Sequence, residues 1–221
     1  MKKKIILVGA KGKMGVLLHE KLKDNFEIIA IEKQDNIWQF EADLVVDFGS
    51  AESSVQSAEF CLQHKTPLIV GSTGQSKSQL EMILKVGKVA PVMKASNFSF
   101  GILLLKQIVK ELADFADEVC LFEKHHKNKK DAPSGTAVEL TNIIEKKLEK
   151  KIQVSSQRGG EETGTHVIDF YLSGELISIS HQAFSREPFV KGAVFAIGFM
   201  LNQSQPGVYD FAECINLNCN K

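Results

Sequence analysis

The chain has 221 residues, which is long enough for one sizeable hydrophobic core or for two smaller domains. Its 27 Lys and Arg residues balance 27 Asp and Glu residues, which excludes the overall positive charge typical of nucleic-acid-binding proteins. The apolar run after the basic start is too short for a signal peptide or a membrane span, so we expect a cytoplasmic protein without membrane or nucleic-acid partners. The four cysteines lack zinc-ligand spacing, and we expect neither disulfides nor a metal site.

The first part of the chain alternates short apolar runs with helical patterns. Lys4–Val8 ends at a glycine and leads directly into a helical pattern over Val16–Leu22. Further strands are predicted at Phe26–Ile31, Leu44–Phe48, Leu68–Val70 and Ala90–Met93, and further helices around Ser53–Gln63 and Gln79–Val86. This alternation predicts an α/β fold with a parallel sheet, in which ligands bind at the carboxyl ends of the strands.

A long amphipathic helix is predicted to follow Phe98. Its apolar face would contain Ile102, Leu105, Ile108, Val109, Leu112 and Phe115. A strand is predicted at Glu118–Glu123, and a second helix after Pro133, where Thr136 and Glu139 have the spacing of a capping box.

Two alternating runs, Thr165–Tyr171 and Leu176–Phe184, flank a Ser-Gly turn and predict a hairpin. Together with the preceding helices they predict an α+β region with an open mixed sheet. The stretches Ala193–Leu201 and Pro206–Leu217 are apolar again and could pack onto the first sheet. We therefore expect two domains, one formed by residues 1–98 and completed by 188–221, the other by residues 99–187.

A glycine-rich turn with the spacing G-x-x-G-x-x-G lies between the first strand and the first helix, from Gly9 to Gly15. Glycines permit a tight turn and allow backbone amides to approach a pyrophosphate at a helix N-terminus. Glu32, at the end of the second strand, is placed to bind a ribose hydroxyl. These features predict dinucleotide binding; the alternative is that the glycines serve only to reverse the chain.

Glu32 and Lys33 bear on the choice between the two nicotinamide dinucleotides. A carboxylate at this position favours the ribose 2′-hydroxyl of NADH, whereas a cation favours the 2′-phosphate of NADPH. The pair therefore predicts tolerance of both cofactors. The alternative is a solvated ion pair at the end of a strand.

The stretch from Glu123 to Ala137 reads E-K-H-H-K-N-K-K-D-A-P-S-G-T-A. It places His125, His126 and Lys129 beside a turn that begins a helix, where free backbone amides favour a carboxylate. The combination predicts an anion-binding site with proton donors. A charged, solvated loop is one alternative. A metal site is another, although adjacent histidines on an extended chain point in opposite directions.

This stretch resembles the signature of the 4-hydroxy-tetrahydrodipicolinate reductases, also called dihydrodipicolinate reductases. The resemblance also includes Gly9–Gly15, Asp47-Phe48, Gly71–Gly74, Ala95–Gly101, Arg158-Gly159, Gly164 with His166, Ser185-Arg186 and Gly207–Asp210. It implies an oxidoreductase that reduces 4-hydroxy-tetrahydrodipicolinate with NADH or NADPH and loss of water, in diaminopimelate and lysine biosynthesis. It also implies a Rossmann-like dinucleotide domain, a substrate domain and a homotetramer formed through the sheet of the substrate domain.

Carried over by position, the resemblance implies that His125 is a proton donor or acceptor and that Lys129 is a proton donor. The residues implied to hold the dicarboxylate substrate are His126, Lys129, Ser134, Gly135 and Thr136. Those implied to bind the cofactor are Gly9, Ala10, Lys11, Gly12, Lys13, Met14, Glu32, Lys33, Gly71, Ser72, Thr73, Ala95, Ser96, Asn97 and Phe98.

The chain departs from the family near the expected adenosine site. The segment between Lys33 and Leu44 is shorter than in most members, and Gly49 stands where a threonine is common. Two other functions remain open. Another two-domain nicotinamide dehydrogenase would share the first domain but has no need of the stretch from His125 to Ala137. A dinucleotide-sensing regulator would not need proton-handling groups beside an anion site, although inactive proteins sometimes keep them.

Overall fold

A computed structural model describes residues 2–32 and 35–215, and the chain divides into two compact units. The first unit contains the chain up to Phe98 together with the part from Val190 onward, and the second is Ser99–Phe189. Within the described residues, no helix combines the length and the apolar character needed to cross a membrane.

The first unit contains a six-stranded sheet in which every pairing is parallel. Its strands are β1 (Lys4–Val8), β2 (Glu27–Ile31), β3 (Leu44–Asp47), β4 (Leu68–Val70), β5 (Pro91–Lys94) and β10 (Gly207–Tyr209). Its helices are α1 (Lys13–Leu22), α2 (Ala51–His64), α3 (Lys77–Lys85) and most of α6 (Glu187–Met200), with 3-10 helices at Ile37–Gln39, Val86–Lys88 and Phe211–Ile215. The strand order β10-β5-β4-β3-β1-β2 confirms the predicted Rossmann-like fold.

The central strands of this sheet are almost entirely buried. Leu44 to Asp47 and Leu68 to Val70 have no exposed surface, as expected for a parallel sheet that is covered on both faces. Two of the following helices begin with a capping box, Ser50 with Ser53 in α2 and Ser76 with Gln79 in α3. These caps end the loops that follow the strands, and so define the edge of the sheet where ligands are expected.

The second unit contains a four-stranded mixed sheet, as predicted. Its strands are β6 (Glu118–His125), β7 (Gln153–Arg158), β8 (Gly164–Leu172) and β9 (Glu175–Ala183), and its helices are α4 (Phe100–Leu112) and α5 (Gly135–Leu148). In the order β7-β6-β8-β9, β6 and β7 are parallel and the other neighbours are antiparallel.

One face of this sheet changes character along its length. Side chains alternate between faces of a strand, so Val119, Leu121, Glu123 and His125 share the buried face of β6. The first two join the apolar core formed with α4 and α5, whereas the last two are polar. Glu123 is paired in register with His166 of β8. The buried face therefore continues from an apolar core into a cluster of ionisable groups.

Two predictions about the helices of this unit are wrong. Helix α4 ends at Leu112, and Phe115 lies beyond it with 73% of its surface exposed. Helix α5 begins after Ser134, whose Oγ accepts a hydrogen bond from the Ala137 amide at 3.2 Å. Because Ser134 follows Pro133 in an extended conformation, it becomes the N-cap, and Thr136 lies inside the first turn without forming the predicted capping box.

Candidate functional site

The glycine-rich turn connects β1 to α1 with closely spaced backbone. Gly9 has a φ of +76°, and its carbonyl accepts a hydrogen bond from the Gly12 amide at 3.0 Å. A Cβ atom at Gly9 would lie 2.8 Å from the Gly49 Cα, and a Cβ atom at Gly15 would collide with the Gly9 carbonyl and Ala10. Both positions therefore require glycine.

The start of α1 has no side-chain cap. Gly12 is the N-cap residue, and the first turn of the helix, which includes Lys13 and Met14, contains no acidic side chain. The uncapped amides and the positive end of the helix dipole suit a phosphate group. The Lys11 amide instead donates to Glu32 Oε1 at 2.7 Å, which ties the turn to the end of β2.

The next two predicted cofactor segments follow β4 and β5 at the same edge of the sheet. The Gly71 amide donates to the Asp47 carbonyl at 2.8 Å, and the Ala95 amide donates to the Val70 carbonyl at 3.1 Å. Ser72 is buried and Thr73 is exposed, while Asn97 is half-buried. The Phe98 side chain packs in the core between Phe48 and Phe211, at ring-centroid distances of 5.6 and 5.2 Å. Phe98 therefore supports the segment rather than presenting its ring to a ligand.

A cavity of about 250 Å³ lies where β1, β2 and β3 end. Among the described residues, the charged side chains that line it are all acidic, namely Glu32, Asp35 and Glu52. The Asp35 carboxylate accepts a hydrogen bond from the Glu32 amide at 2.7 Å. Lys33, the cation predicted to contact the cofactor here, lies outside the described residues. The described wall of the cavity is negative.

In the second unit, Glu123 lies between His125 and Arg158. The Glu123 carboxylate has no exposed surface; it receives two hydrogen bonds from the Arg158 guanidinium, at 2.7 and 3.0 Å, and contacts His125 Nδ1. Such a two-pronged Arg–carboxylate pair holds both side chains in fixed orientations. The sequence patterns predicted no role for Glu123 or Arg158, although both lie in segments that resemble the family.

This network sets the protonation states of its members. Burial raises the pKa of Glu123, but hydrogen bonds from Arg158, Ser156 and His125 outweigh it and lower the pKa to about 2. Burial lowers the pKa of His125, and the charges of Lys129 and Arg158 act in the same direction against the opposing effect of Glu123. His125 is therefore a neutral imidazole at neutral pH. Since Glu123 accepts the proton on Nδ1, His125 Nε2 is left as an acceptor.

Gly164 makes room for that acceptor nitrogen. It lies at the start of β8, and a Cβ atom there would lie 2.8 Å from His125 Nε2. His166, two residues along the same face, is buried and packs edge-on against the His125 ring at a centroid distance of 5.3 Å. Gly164 and His166 thus both lie beside His125, the predicted catalytic histidine.

Lys129 and the start of α5 lie in the same unit. Lys129 Nζ is 2.8 Å from Asp131 Oδ1. Burial raises the pKa of Asp131, but the bond to Lys129 and the amide of Gly135 outweigh it and lower the pKa. The Ser134 amide donates to Glu123 Oε1 at 3.3 Å, and Ser134 Oγ lies 3.4 Å from His166 Nε2. Glu123 thus links the predicted carboxylate-binding turn directly to His125.

His126 is half-buried and directly follows His125, the last residue of β6. Its amide donates to the Glu162 carbonyl at 2.9 Å, just beyond the last residue of β6. Within the described residues, no group of three His, Cys, Asp or Glu side chains is arranged to hold a metal ion. The ionisable groups described in this unit therefore form ion pairs, Glu123 with Arg158 and Lys129 with Asp131, beside the neutral His125 imidazole.

Comparison with known proteins identifies both parts of the chain. A model described as dihydrodipicolinate reductase, N-terminus, matches residues 23–98, and one described as dihydrodipicolinate reductase, C-terminus, matches residues 101–215. A 4-hydroxy-tetrahydrodipicolinate reductase from Caldanaerobacter subterraneus is 32% identical, covering 96% of this chain and 98% of the relative. One from Rickettsia bellii is 33% identical, covering 94% of this chain and 92% of the relative.

Solved structures share the fold. A dipicolinate-bound dihydrodipicolinate reductase from Paenisporosarcina sp. TG-14 superposes with a TM-score of 0.74 at 20% identity, covering 95% of this chain and 98% of that one. An aspartate dehydrogenase from Thermotoga maritima superposes with a TM-score of 0.58 at 14% identity, covering 92% of this chain and 98% of that one. At these identities the two superpositions show a shared fold.

Proposed function

Since the chain belongs to the dihydrodipicolinate reductase family, we propose that its first unit binds the nicotinamide dinucleotide and that its second unit binds and protonates the substrate. The enzyme is an oxidoreductase that reduces 4-hydroxy-tetrahydrodipicolinate in the route to diaminopimelate and lysine. The family and the Rossmann-like first unit support a nicotinamide cofactor. One observation supports the assignment of reacting and binding residues in the second unit. Glu123 contacts His125 and also accepts a hydrogen bond from the Ser134 amide, so the two residues belong to one network.

The first unit fits a dinucleotide. Gly9 and Gly15 allow the backbone of the turn to pack without Cβ atoms, and the uncapped start of α1 offers amides to a pyrophosphate. We assign the dinucleotide to the turn from Gly9 to Met14, to Glu32 and Lys33, and to the segments 71–73 and 95–98. When bound, the dinucleotide supplies the hydride.

The second unit fits a dicarboxylate. The amides of Gly135 and Thr136 at the start of α5, the Ser134 hydroxyl, the Lys129 ammonium and His126 are the donors that we assign to the substrate carboxylates. A substrate carboxylate would compete with Asp131 for Lys129 and for the Gly135 amide.

The protonation states divide the chemistry between two residues. Loss of water from the ring needs a base for a ring proton and an acid for the departing hydroxyl group. His125 is neutral with Nε2 as acceptor, so it takes up the ring proton. Lys129 donates a proton to the hydroxyl group, which leaves as water, and regains a proton from solvent. After hydride delivery, His125 returns its proton to the ring.

Dicarboxylate binding tests the substrate site. We expect Ser134→Ala and Lys129→Met each to weaken binding of pyridine-2,6-dicarboxylate about tenfold in calorimetry, since each removes a hydrogen bond to a charged group. Ser178→Ala is the matched control, because it removes a hydroxyl from β9 that bonds Asp169 instead. Unchanged affinity in both site variants would contradict the assignment.

We further propose that NADH is the preferred cofactor. The 2′-phosphate of NADPH would meet the like charges of Glu32, Asp35 and Glu52, whereas a 2′-hydroxyl can donate to a carboxylate. Fluorescence titration should give a dissociation constant for NADH at least about tenfold below that for NADPH, a ratio that Glu32→Gln narrows. Equal or tighter binding of NADPH would contradict this preference and would indicate that Lys33 dominates.

We also propose a cytoplasmic homotetramer that associates through the second unit's sheet. The outer face of that sheet exposes apolar side chains, including Phe122, Tyr171 and Leu176, which supports burial against another copy. Light scattering should give a mass four times the 24.5 kDa of one chain. A monomer at micromolar concentration would contradict the assembly.

A further inference from the structure

His166 lies in a row of polar side chains that crosses three strands. In register, Glu123 of β6 is opposite His166 of β8, and His166 is opposite His181 of β9. His166 has only 2% of its surface exposed, and its ring contacts the His125 ring edge-on. Its Nε2 lies 3.4 Å from Ser134 Oγ, the hydroxyl assigned above to a substrate carboxylate. A buried imidazole therefore contacts both a reacting residue and a binding residue.

The environment of His166 determines which of its nitrogens carries the proton. Burial is the main cause that lowers the pKa of His166 to about 3, so at neutral pH the ring is neutral and has one N–H group. Within the described residues, the buried Nδ1 has no hydrogen-bond partner. A proton on Nδ1 would be a buried donor without an acceptor, which is rarer than an unpaired acceptor. The proton therefore belongs on Nε2, facing Ser134 Oγ.

This tautomer fixes the direction of the Ser134 hydroxyl proton. A hydroxyl group has two acceptor lone pairs and one proton to donate. Ser134 Oγ accepts from the Ala137 amide at 3.2 Å and, in this tautomer, from His166 Nε2 as well. Both lone pairs are then occupied, and the proton is left to donate elsewhere. In the other tautomer, Ser134 would donate to His166 and could not donate to a ligand through the same proton.

We propose that His166 is a positioning residue that, as the Nε2–H tautomer, presents the Ser134 hydroxyl as a donor to a substrate carboxylate. The inference rests on the proposed function, because it assumes that Ser134 binds the carboxylate. It adds a residue that does not touch the substrate itself and acts through Ser134.

The tautomer is tested first in the free enzyme. Two-bond ¹H–¹⁵N NMR correlation spectra of ¹⁵N-histidine-labelled protein should show a protonated Nε2 and an unprotonated Nδ1 for His166, assigned by comparison with His166→Gln. A protonated Nδ1 would overturn the inference whatever the substrate is, and so would a ring that gains a second proton between pH 6 and 8.

Binding then tests the consequence. His166→Leu should raise the dissociation constant of pyridine-2,6-dicarboxylate about tenfold, and it should raise KM for 4-hydroxy-tetrahydrodipicolinate more than it lowers kcat. His166→Gln keeps an N–H donor and should recover most of the affinity. In the background of Ser134→Ala, His166→Leu should cause no further loss, because the two side chains act through one hydrogen bond.

The outcomes separate this inference from the proposed function. If Ser134→Ala weakens dicarboxylate binding but His166→Leu and His166→Gln do not, His166 is not a positioning residue and the substrate site stands. If Ser134→Ala has no effect, both this inference and the assignment of Ser134 are overturned. If the losses from Ser134→Ala and His166→Leu simply add, the effect of His166 does not pass through Ser134 and the inference is also overturned.

Discussion

The two units present different kinds of surface to the molecules we assign to them. In the first unit, the ligand edge consists largely of backbone: the turn from Gly9 to Gly15 packs so closely that two of its glycines have no space for a Cβ atom. In the second unit, the site consists of ionisable side chains that hold one another, with Glu123 at the centre between Arg158 and His125.

The comparison shows two ways in which a protein can form a binding site, one from backbone groups and one from charged side chains. Backbone amides carry no net charge and cannot change rotamer, so the proposed pyrophosphate site of the first unit depends on the shape of the turn and on a helix end. A buried charged side chain must be held in one orientation, and its charge must be balanced by a partner. The second unit therefore needs further residues that do not themselves contact the ligand. Substitutions in the second unit should therefore act by leaving a buried charge without its partner. Substitutions in the first unit should act by steric overlap with closely packed backbone.

The largest effect is expected from removing Arg158. Arg158→Met leaves the fully buried Glu123 carboxylate without its main partner, and we expect a loss of about 3–5 kcal/mol in the free energy of unfolding. Urea denaturation at pH 7 measures it. Lys147→Met is the control, because its partner Asp114 is substantially exposed and the loss should be far smaller. Equal losses would show that Arg158 does not compensate a buried charge.

A pH dependence follows from Glu123 itself. Its pKa is about 2 in the folded protein and 4.5 in the unfolded reference, so its ionisation stabilises the fold by about 3 kcal/mol above pH 4.5. That contribution is lost as the pH falls from 4.5 towards 2. Glu123→Gln should therefore lose stability less steeply than the wild type over this range in urea titrations. Parallel profiles would contradict the low pKa.

Steric packing in the first unit can be tested on a single helix. A Cβ atom at Gly192 of α6 would collide with the Phe98 carbonyl and lie 3.0 Å from the Phe211 ring, whereas one at Gly198 would meet nothing within 4 Å. Gly192→Ala should cost about 2 kcal/mol. Gly198→Ala should be neutral or add up to about 1 kcal/mol, since alanine favours a helix. Thermal unfolding of both variants measures the difference, and similar melting temperatures would be inconsistent with this packing.

The smallest expected effect concerns the space beside His125. Gly164→Ala should displace the imidazole and lower kcat about tenfold while leaving the fold intact, because its Cβ atom would lie 2.8 Å from Nε2. Gly159→Ala is the matched control, since a Cβ atom there meets nothing within 4 Å. Steady-state kinetics should separate the two, and unchanged kcat in both would indicate that His125 adapts freely.

Local sequence patterns predicted the elements whose boundaries are local. The limits of β1 and β4 agree with prediction because each is an uninterrupted apolar run followed directly by glycine. Strand β7 was not predicted, since Gln153–Arg158 is mostly polar and becomes a strand by pairing with β6. Phe115 fitted the helical period of α4, but the helix ends three residues earlier.

The same limit applies to the site. The stretch from His125 to Thr136 could be found because its chemistry is concentrated in one segment. The role of Arg158 could not, because it lies 35 residues from Glu123 and reaches it only through the register of β6 with β7. The orientation of His125 depends on the contact between Arg158 and Glu123. The protonation states of Glu123 and His125 therefore could not be predicted from the sequence. The roles of His125 and Lys129 remain predictions.

This protein reduces 4-hydroxy-tetrahydrodipicolinate, a cyclic imine, and we propose that Lys129 supplies a proton. The direct measurement generates the imine from pyruvate and aspartate semialdehyde with its synthase, adds the wild type or Lys129→Ala, and follows nicotinamide absorbance with NADH and NADPH separately. We expect synthase-dependent oxidation by the wild type and a turnover about 100-fold lower in Lys129→Ala, with far less change in cofactor affinity. Near-normal turnover in the variant would contradict the role of Lys129, and no oxidation with either cofactor by a dinucleotide-binding wild type would contradict the activity.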